Sequence, residues 1–414
     1  MSKHTERIDI AVVGGGAAGL VAAIMAARAG AKVLILEHNE VLGKKILATG
    51  NGKCNYTNKM QGVDKYYGQN PAFVAPVFEQ FGLEETLQFF MGLGIYPKER
   101  NGGYYPQSEQ AAAIRDVLLM ELQKQHVGVV CSCGIRGIEK TKKGFVFHTK
   151  GGDFYATKCI MATGGKTLKK SGSDGSGFLY LESLGHHIID LVPGLVGLKG
   201  KQSFFADIAG IRADAKIDLY IENAYVCSER GELQLTNYGI SGIPVFQISR
   251  VATRALSEQK KVYATLNFVP FWEKEQCLTY FKERFKEADE KRISEALIGF
   301  FPEKLIPVLL EESHIKAAKY ANRLQEEEIK RFVDTAQGLR VDITDWNTFD
   351  TAQVTAGGVD TDEINAETME SKLCPGLYFA GEMVDIDGIC GGYNLQWAWS
   401  SGAVAGMHAA RELS

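Results

Sequence analysis

Three glycines and a carboxylate set the first chemical possibility. Gly14, Gly16 and Gly19 stand in GGGAAG, and Glu37 follows Gly19 by about 18 residues, near the ~20 that a ribose-binding acid shows. In such a fingerprint the first glycine permits a tight turn, the second lets a pyrophosphate approach the backbone, and the third lets a helix lie close to a strand. Ala17 and Ala18 then fall in the first helical turn, where free N–H groups and the positive dipole end face an anion. Glu37, with His38 beside it, can accept hydrogen bonds from both ribose hydroxyls and repels a 2′-phosphate, so the first-bound nucleotide is not NADP. The fingerprint by itself leaves FAD and NAD both open.

A second cluster follows in GKKILATGNGKCNYTN, residues 43–58. It reads either as a solvated surface loop or as backbone lying along a large ligand. Lys44, Lys45 and Lys53 would sit near pyrophosphate or an anionic reduced flavin. Gly50, Asn51 and Gly52 would pass close to a flat ring, with Cys54 and Asn55 beside them. Two further segments decide for FAD. CIMATGG, ending at Gly165, contains Ala162, Thr163 and Gly164. In FAD proteins of the glutathione-reductase type a similar strand passes the adenine and the ATG turn covers the nucleotide; Gly134 and Ile135 lie in the preceding stretch, GVVCSCGIRGIE. GLYFAG ends at Gly381 and leads into EMVDIDGICGGYNLQWAW. Glu382, with Asp385 or Asp387, would hold the ribityl chain. Gly392, Tyr393, Asn394 and Leu395 would open a helix whose N-terminus faces flavin N1/O2 and stabilises negative charge there. The two ends of the chain therefore build one site.

The chemistry such a site supports is hydride transfer at flavin N5, with the protein positioning a substrate. Lys53, Tyr238 and Tyr393 are the candidate catalytic residues. Either tyrosine would donate a proton to an enone or carbonyl, or simply orient the ring. Cys54 has no CxxC partner and reads better as a packing residue than as a redox thiol. Cys131 and Cys133 alternate along one strand without two further ligands, so no metal is expected. His186 and His187 follow a helix and read as solvated.

The elements that must position these residues are legible in outline. IDIAVV is a buried strand, LVAAIMAARAG is helical, and KVLILE is a second buried strand. GVVCSCGIRGIE and GFVFHT read as strands of a small sheet. LYLESLGHHI reads as a helix. From about Val192 the text alternates as antiparallel strands (KIDLYIENAYV, ELQLTNYGISG, KVYATLNFV). It then turns charged and helical from Trp272, and RVDITDW closes as a strand. The expected division is 1–191 and 348–414 for the FAD-binding domain, with 192–347 inserted as barrel or sheet plus helices. No second strand-flanked GxGxxG exists, so NAD(P)H, if it is the electron donor, binds without a Rossmann domain of its own.

Composition narrows the class. The chain has 414 residues, a formal charge of −4, 45% apolar residues, 45 glycines and only 10 prolines. Excess glycine without excess proline points to tight turns rather than disorder. The acidic balance gives no support to a nucleic-acid partner. With no apolar run of ~18 residues, no membrane partner is expected. A start without a leader pattern, and eight scattered cysteines, lead to the expectation of a reducing cytoplasm.

Taken together, GGGAAGL, Gly43–Asn58, VTAGGV (354–359, containing Gly358) with EINAETMESK after it, and Gly381–Asn394 resemble the bacterial NAD(P)/FAD-dependent oxidoreductases. That family includes aminoacetone oxidase and the bile-acid-inducible flavoprotein BaiN. LTNYGISGIP resembles that family's inserted-domain motif. Lys53 stands where the family usually has arginine, which keeps the charge without the planar fork. The resemblance implies an α/β fold: a Rossmann-like FAD-binding domain (three-layer, parallel sheet) with an inserted β-barrel-plus-helical domain, and non-covalent FAD. Members of that family differ in reaction; the leading expectation for this chain is NAD(P)H-driven reduction of a C=C or C=O bond in a small-molecule substrate. The alternatives are an oxidase of a small amine or alcohol using O2, and a flavoprotein with a non-catalytic or tRNA-modification role, against which the acidic balance argues.

Overall fold

The structure, a computed structural model, describes residues 8–411. Its first unit begins with β1 (Ile8–Val13), α1 (Ala17–Arg28) and β2 (Val33–Leu36). Later come α2 (Ala111–Lys124), β3 (Gly128–Val130), β4 (Ile135–Thr141), β5 (Gly144–Thr149) and β6 (Gly152–Met161). The unit closes with β7 (Val354–Val359), β8 (Leu377–Phe379) and α3 (Tyr393–Arg411). One seven-stranded sheet has the order β3-β2-β1-β6-β5-β4, with β8 also on β6. The pairs β3/β2, β2/β1, β1/β6 and β6/β8 are parallel, while β6/β5 and β5/β4 are antiparallel. Strands buried on both faces read as unbroken apolar runs, as residues 10–13 (IAVV) of β1 and VLIL of β2 do.

The ten residues of β6 change partners along their length. Gly152–Ala156 pairs antiparallel with β5, whereas Cys159–Met161 runs parallel to β8. The sequence GDFYATKCIM shows why: its first half is mostly open to solvent and its last four residues are buried. The single small sheet expected across 128–149 divides in two. Gly128–Val130 joins the parallel sheet, and pairing resumes only at Ile135. Between them Ser132 takes a left-handed backbone, φ 52°, which turns the chain.

α1 is alanine-rich and buried from Ala18 to Ile24 and at Ala26. α3 crosses it with Gly402 and Gly406, where a Cβ would collide with the carbonyl oxygens of Ala18 and Ala22. Small residues on both helices thus allow backbone-to-backbone approach. The helix expected at LYLESLGHHI is shorter, Ser176–Ser183, and Ile188–Gly194 is a strand paired with β7. His186 is not solvated as expected. It is buried beside Phe379, with Nε2 2.7 Å from Ser371 Oγ, while His187 is exposed. The apolar ring packing that sequence could not show outweighs its position after a helix.

Contacts divide the chain into a unit ending at Pro193 and resuming at Gln353, and a second unit, Gly194–Ala352. The second unit contains a closed barrel of 198–200, 239–241, 224–236, 212–221, 262–267 and 339–346, in that order. Along 212–221 the inward residues Ala215, Ile217 and Leu219 are fully buried and alternate with polar ones, the period-2 pattern of a barrel wall. Helices 274–286, 305–312 and 326–336 gather Phe281, Phe285, Phe301 and Phe332 into an aromatic core.

Candidate functional site

The turn between β1 and α1 gives its three glycines three different surroundings. Gly14 takes φ +101°, and a Cβ there would lie 2.5 Å from the Ala162 carbonyl oxygen. A Cβ on Gly19 would collide with the Gly14 carbonyl oxygen, so strand and helix touch through it. At Gly16 nothing lies within 4 Å of the Cβ position, so that side is open to a ligand. No side chain caps α1 and its first turn carries no acid. Its N–H groups and positive end are therefore left for an anion.

Glu37, only 6% exposed, faces this turn. Its Oε2 accepts from the Gly15 N–H at 2.6 Å, and its Oε1 accepts from the Asn39 N–H at 2.7 Å and from Asn39 Nδ2 at 2.8 Å. Three of a carboxylate's roughly four acceptor positions are thus taken. The Glu37 N–H donates to Val130 O, and the Cys133 N–H donates to Glu37 O. This brings Gly134 and Ile135 alongside; Gly134 has open space on its Cβ side. His38 is exposed.

A second cluster joins four distant segments. Lys45 Nζ donates to Glu382 Oε2 at 2.6 Å and to Thr167 Oγ1 at 2.9 Å. Glu382 Oε1 accepts from the Thr355 N–H at 2.8 Å and from Thr167 Oγ1 at 3.2 Å. The Lys166 N–H donates to Thr355 Oγ1. Ala162 adjoins Gly14, Thr163 Cβ lies close over Gly177, and Gly164 faces the Ser173 hydroxyl. Lys44 is exposed. Gly381 lies against Ala18, where its Cβ would be 2.8 Å from the alanine methyl, so the two ends of the chain do meet. Gly358 backs onto the Met383 carbonyl.

The third cluster is the clamp of α3 on residues 54–58. Thr57 Oγ1 donates to Gln396 Oε1, and Trp399 Nε1 donates to Tyr56 O. Asn58 Nδ2 donates to Gly391 O, and Asn394 bonds both backbone groups of Gly388. Gly50 and Asn51 take left-handed backbones, φ 55° and 52°, which turn the loop ahead of Cys54; Gly52 has open space on its Cβ side. The Cys54 thiol is fully buried and burial pushes its pKa up to about 12, which suits packing. The Asn55 amide sits between Gly103 and Gly392, and its Oδ1 is buried without a partner among the described residues. Lys53 Nζ pairs with Glu109 at 3.2 Å, and Lys98 pairs with the other oxygen at 2.7 Å. Both lysines hold the Glu109 carboxyl at about 2.

Tyr393 is buried edge-on against Tyr66, whose hydroxyl donates to its carbonyl. Leu395 is half-buried on the next turn. Asp385 and Asp387 are buried; Asp385 Oδ2 accepts from the Gln69 N–H, and Asp387 pairs with Tyr67 in a short ladder. Tyr238 belongs to the second unit, with its hydroxyl over Gly197. Sequence reasoning missed Asn39, Thr167, Glu109 and Gln396. Asn39 carried a local signal, an Asn two residues after the acid, a spacing that forms side-chain turns. Gln396 carried none, because its partners outside its own helix, Thr57, Gly82 and Thr86, are more than 300 residues away.

Residues 8–408 match the family described as HI0933-like protein Rossmann domain. The chain is 45% identical over 403 residues to the 3-dehydro-bile acid delta(4,6)-reductase of Clostridium scindens, covering 97% of this chain and 98% of that protein. It is 30% identical over 399 residues to the ribosomal RNA dihydrouridine synthase of Escherichia coli, covering 96% of each. Among solved structures, the open conformation of a flavocytochrome c3 fumarate reductase is similar in fold, with TM-score 0.53 and 16% identity over 98% of this chain and 78% of that one. The chain belongs to the HI0933-like family of Rossmann-domain proteins, the FAD-dependent oxidoreductases that its motifs resemble.

Proposed function

We propose that this chain is an FAD-dependent reductase that takes electrons from NAD(P)H and saturates a carbon–carbon double bond conjugated to a carbonyl in a small organic molecule. One relative is named as a delta(4,6)-reductase of a 3-dehydro-bile acid and the other as a dihydrouridine synthase, and both names describe addition of hydrogen to a double bond. The observation that carries the cofactor half of the reading is the open face at Gly16 beside the buried Glu37 carboxylate. The residues present fit FAD there: an uncapped helix start for the pyrophosphate, an acid for a ribose, and an unpartnered Asn55 Oδ1 near the far end.

Bound FAD supplies the hydride-transferring ring. The chain's own residues do the rest. The N–H groups of Ala17 and Ala18 would hold the pyrophosphate, and Glu37 would accept from ribose hydroxyls in place of its Asn39 side-chain bond. Lys45 and Glu382 would hold the segment between, the α3 N-terminus and Tyr393 would face the ring, and Lys53, balanced by Glu109, would set the local charge. NAD(P)H binds transiently, without a Rossmann domain of its own.

The formal charge of −4 favours a small molecule over RNA, whose binding rests on cationic contacts. All eight cysteines are free, which suits a reducing cytoplasm. Among the described residues no helix is long and apolar enough to cross a membrane.

The test is anaerobic mixing of FAD-loaded protein with NADH or NADPH, followed by a 3-oxo-4-ene steroid, a cyclic enone or a uracil nucleoside. Bleaching of the visible flavin band by the nucleotide, and its return on adding one of these acceptors, is expected. Peroxide formed with an amine, and no bleaching by either nucleotide, would overturn the reading in favour of an oxidase.

A further inference from the structure

We propose that the Tyr105 hydroxyl is the hydrogen-bond donor that holds the substrate's carbonyl oxygen. This rests on the reductase reading above and names a residue for it. Residues 97–100 and 103–106 form a hairpin that pairs with Thr57–Asn58, with Thr57 opposite Tyr104. Successive side chains of a strand face opposite ways, so Gly103 and Tyr105 share the face away from Tyr104. On that face a Cβ at Gly103 would lie 2.7 Å from Asn55 Nδ2, and Tyr105 Cε1 lies 3.9 Å from the Cβ position of Gly50. The groups that bear on the phenol are Arg100, Cys390, Glu109 and Cys54. Tyr105 is thereby gathered between GNGKCN and CGGYN, the two segments the function reading sets against the flavin ring.

The Tyr105 side chain is half-buried and its hydroxyl has no hydrogen bond to any described residue, so it is open to donate to a ligand. Burial raises its pKa above the ordinary phenol value, so it keeps its proton and stays a donor at neutral pH. The Tyr56 hydroxyl also has no partner among the described residues, but its side chain is wholly buried and no ligand reaches it. A donor aimed at a conjugated carbonyl stabilises the negative charge that grows on oxygen as the far carbon accepts hydride from reduced flavin. The proton that completes the saturated bond comes from solvent, and Tyr105 need not ionise.

The experiment uses the FAD-loaded full chain and its Tyr105→Phe variant. The acceptor is whichever of the three compound classes above the wild type reduces fastest, and its saturated product serves as a non-reacting ligand. Expected are an unchanged flavin spectrum, unchanged flavin bleaching by NAD(P)H, and product binding at least tenfold weaker by perturbation of flavin absorbance. The acceptor-driven reoxidation should slow by a similar or larger factor. Variant binding and reoxidation within twofold of wild type would overturn the proposal while leaving the reductase reading intact. A wild type that reduces none of the acceptors ends both. Tyr104→Phe, on the opposite face, should leave product binding unchanged; an equal loss there would show a structural effect and also overturn the assignment.

Discussion

Gly402 of α3 lies so close to Ala18 of α1 that a methyl group on it would collide with the Ala18 carbonyl oxygen. Replacing it must push the helices apart, and overpacking of this kind costs ~1–3 kcal/mol or more. Because α1 opens at Gly16 and α3 opens beside Gly392, the same shift would displace both helix starts. Gly402→Val is expected to lower the thermal midpoint and the FAD content together, read by differential scanning calorimetry and by the visible spectrum of the purified protein. A variant with wild-type midpoint would show that the crossing is looser than described.

Glu37→Gln places an amide where the Gly15 and Asn39 N–H groups need an acceptor. Hydrogen bonds to charged groups contribute ~1.5–3 kcal/mol, so FAD affinity should fall about 10- to 100-fold. Titration of the apoprotein with FAD, followed by quenching of flavin fluorescence, measures this.

Lys45 and Glu382 form a part-buried pair, with side chains 25% and 18% exposed. A double-mutant cycle with Lys45→Met and Glu382→Gln should return a coupling of ~1 kcal/mol in unfolding free energy. A coupling near zero would mean that Thr167 and Thr355 alone hold Glu382.

Much of the framework could be read from the chain, and the reason is locality. GGGAAG, its flanking strands and Glu37 are a short-range signal, and each glycine has a distinct surrounding in the structure. Alternation in KIDLYIENAYV was enough to expect antiparallel strands in the inserted region. What could not be read depends on distant partners. Gln396 binds Thr57 and Thr86, and Lys45 meets Glu382, across more than 300 residues. Tyr105 sits in a hairpin of ordinary polar text, and only folding sets it beside Gly50. His186 looked solvated because it stands just past the end of a helix, whereas its neighbours in space are Phe379 and Ser371.

That histidine gives a pH dependence. Ser371 Oγ accepts from the Leu373 and Cys374 N–H groups, so its own hydrogen goes to His186 Nε2. The ring is then neutral with its proton on Nδ1, which has no partner among the described residues. Burial, partly opposed by Glu363, lowers its pKa below the ordinary 6.5. The unfolded chain therefore takes up a proton first as pH falls. The contribution is complete above about pH 6.5 and declines below it, by at most ~1.4 kcal/mol per pH unit. Urea unfolding at several pH values should show a steeper acid loss in wild type than in His186→Gln.

Cys54 provides a chemical check on the clamp. A buried thiol with a pKa of about 12 presents almost no thiolate to an alkylating reagent. Iodoacetamide at mildly alkaline pH should leave Cys54 unmodified in the folded protein and label it after denaturation, as read by peptide mass spectrometry.

The strand that leads out to the second unit, Ile188–Gly194, and the strand that leads back from it, Val354–Val359, lie side by side in one two-stranded sheet. The long excursion between them therefore leaves through a gap no wider than a hairpin's. For the first unit, closing that gap costs an entropy that grows only logarithmically with the length of chain outside it. An ancestor could have gained, enlarged or exchanged the barrel without re-threading the nucleotide-holding sheet, and a short turn spliced between residues 193 and 353 should leave that sheet able to form.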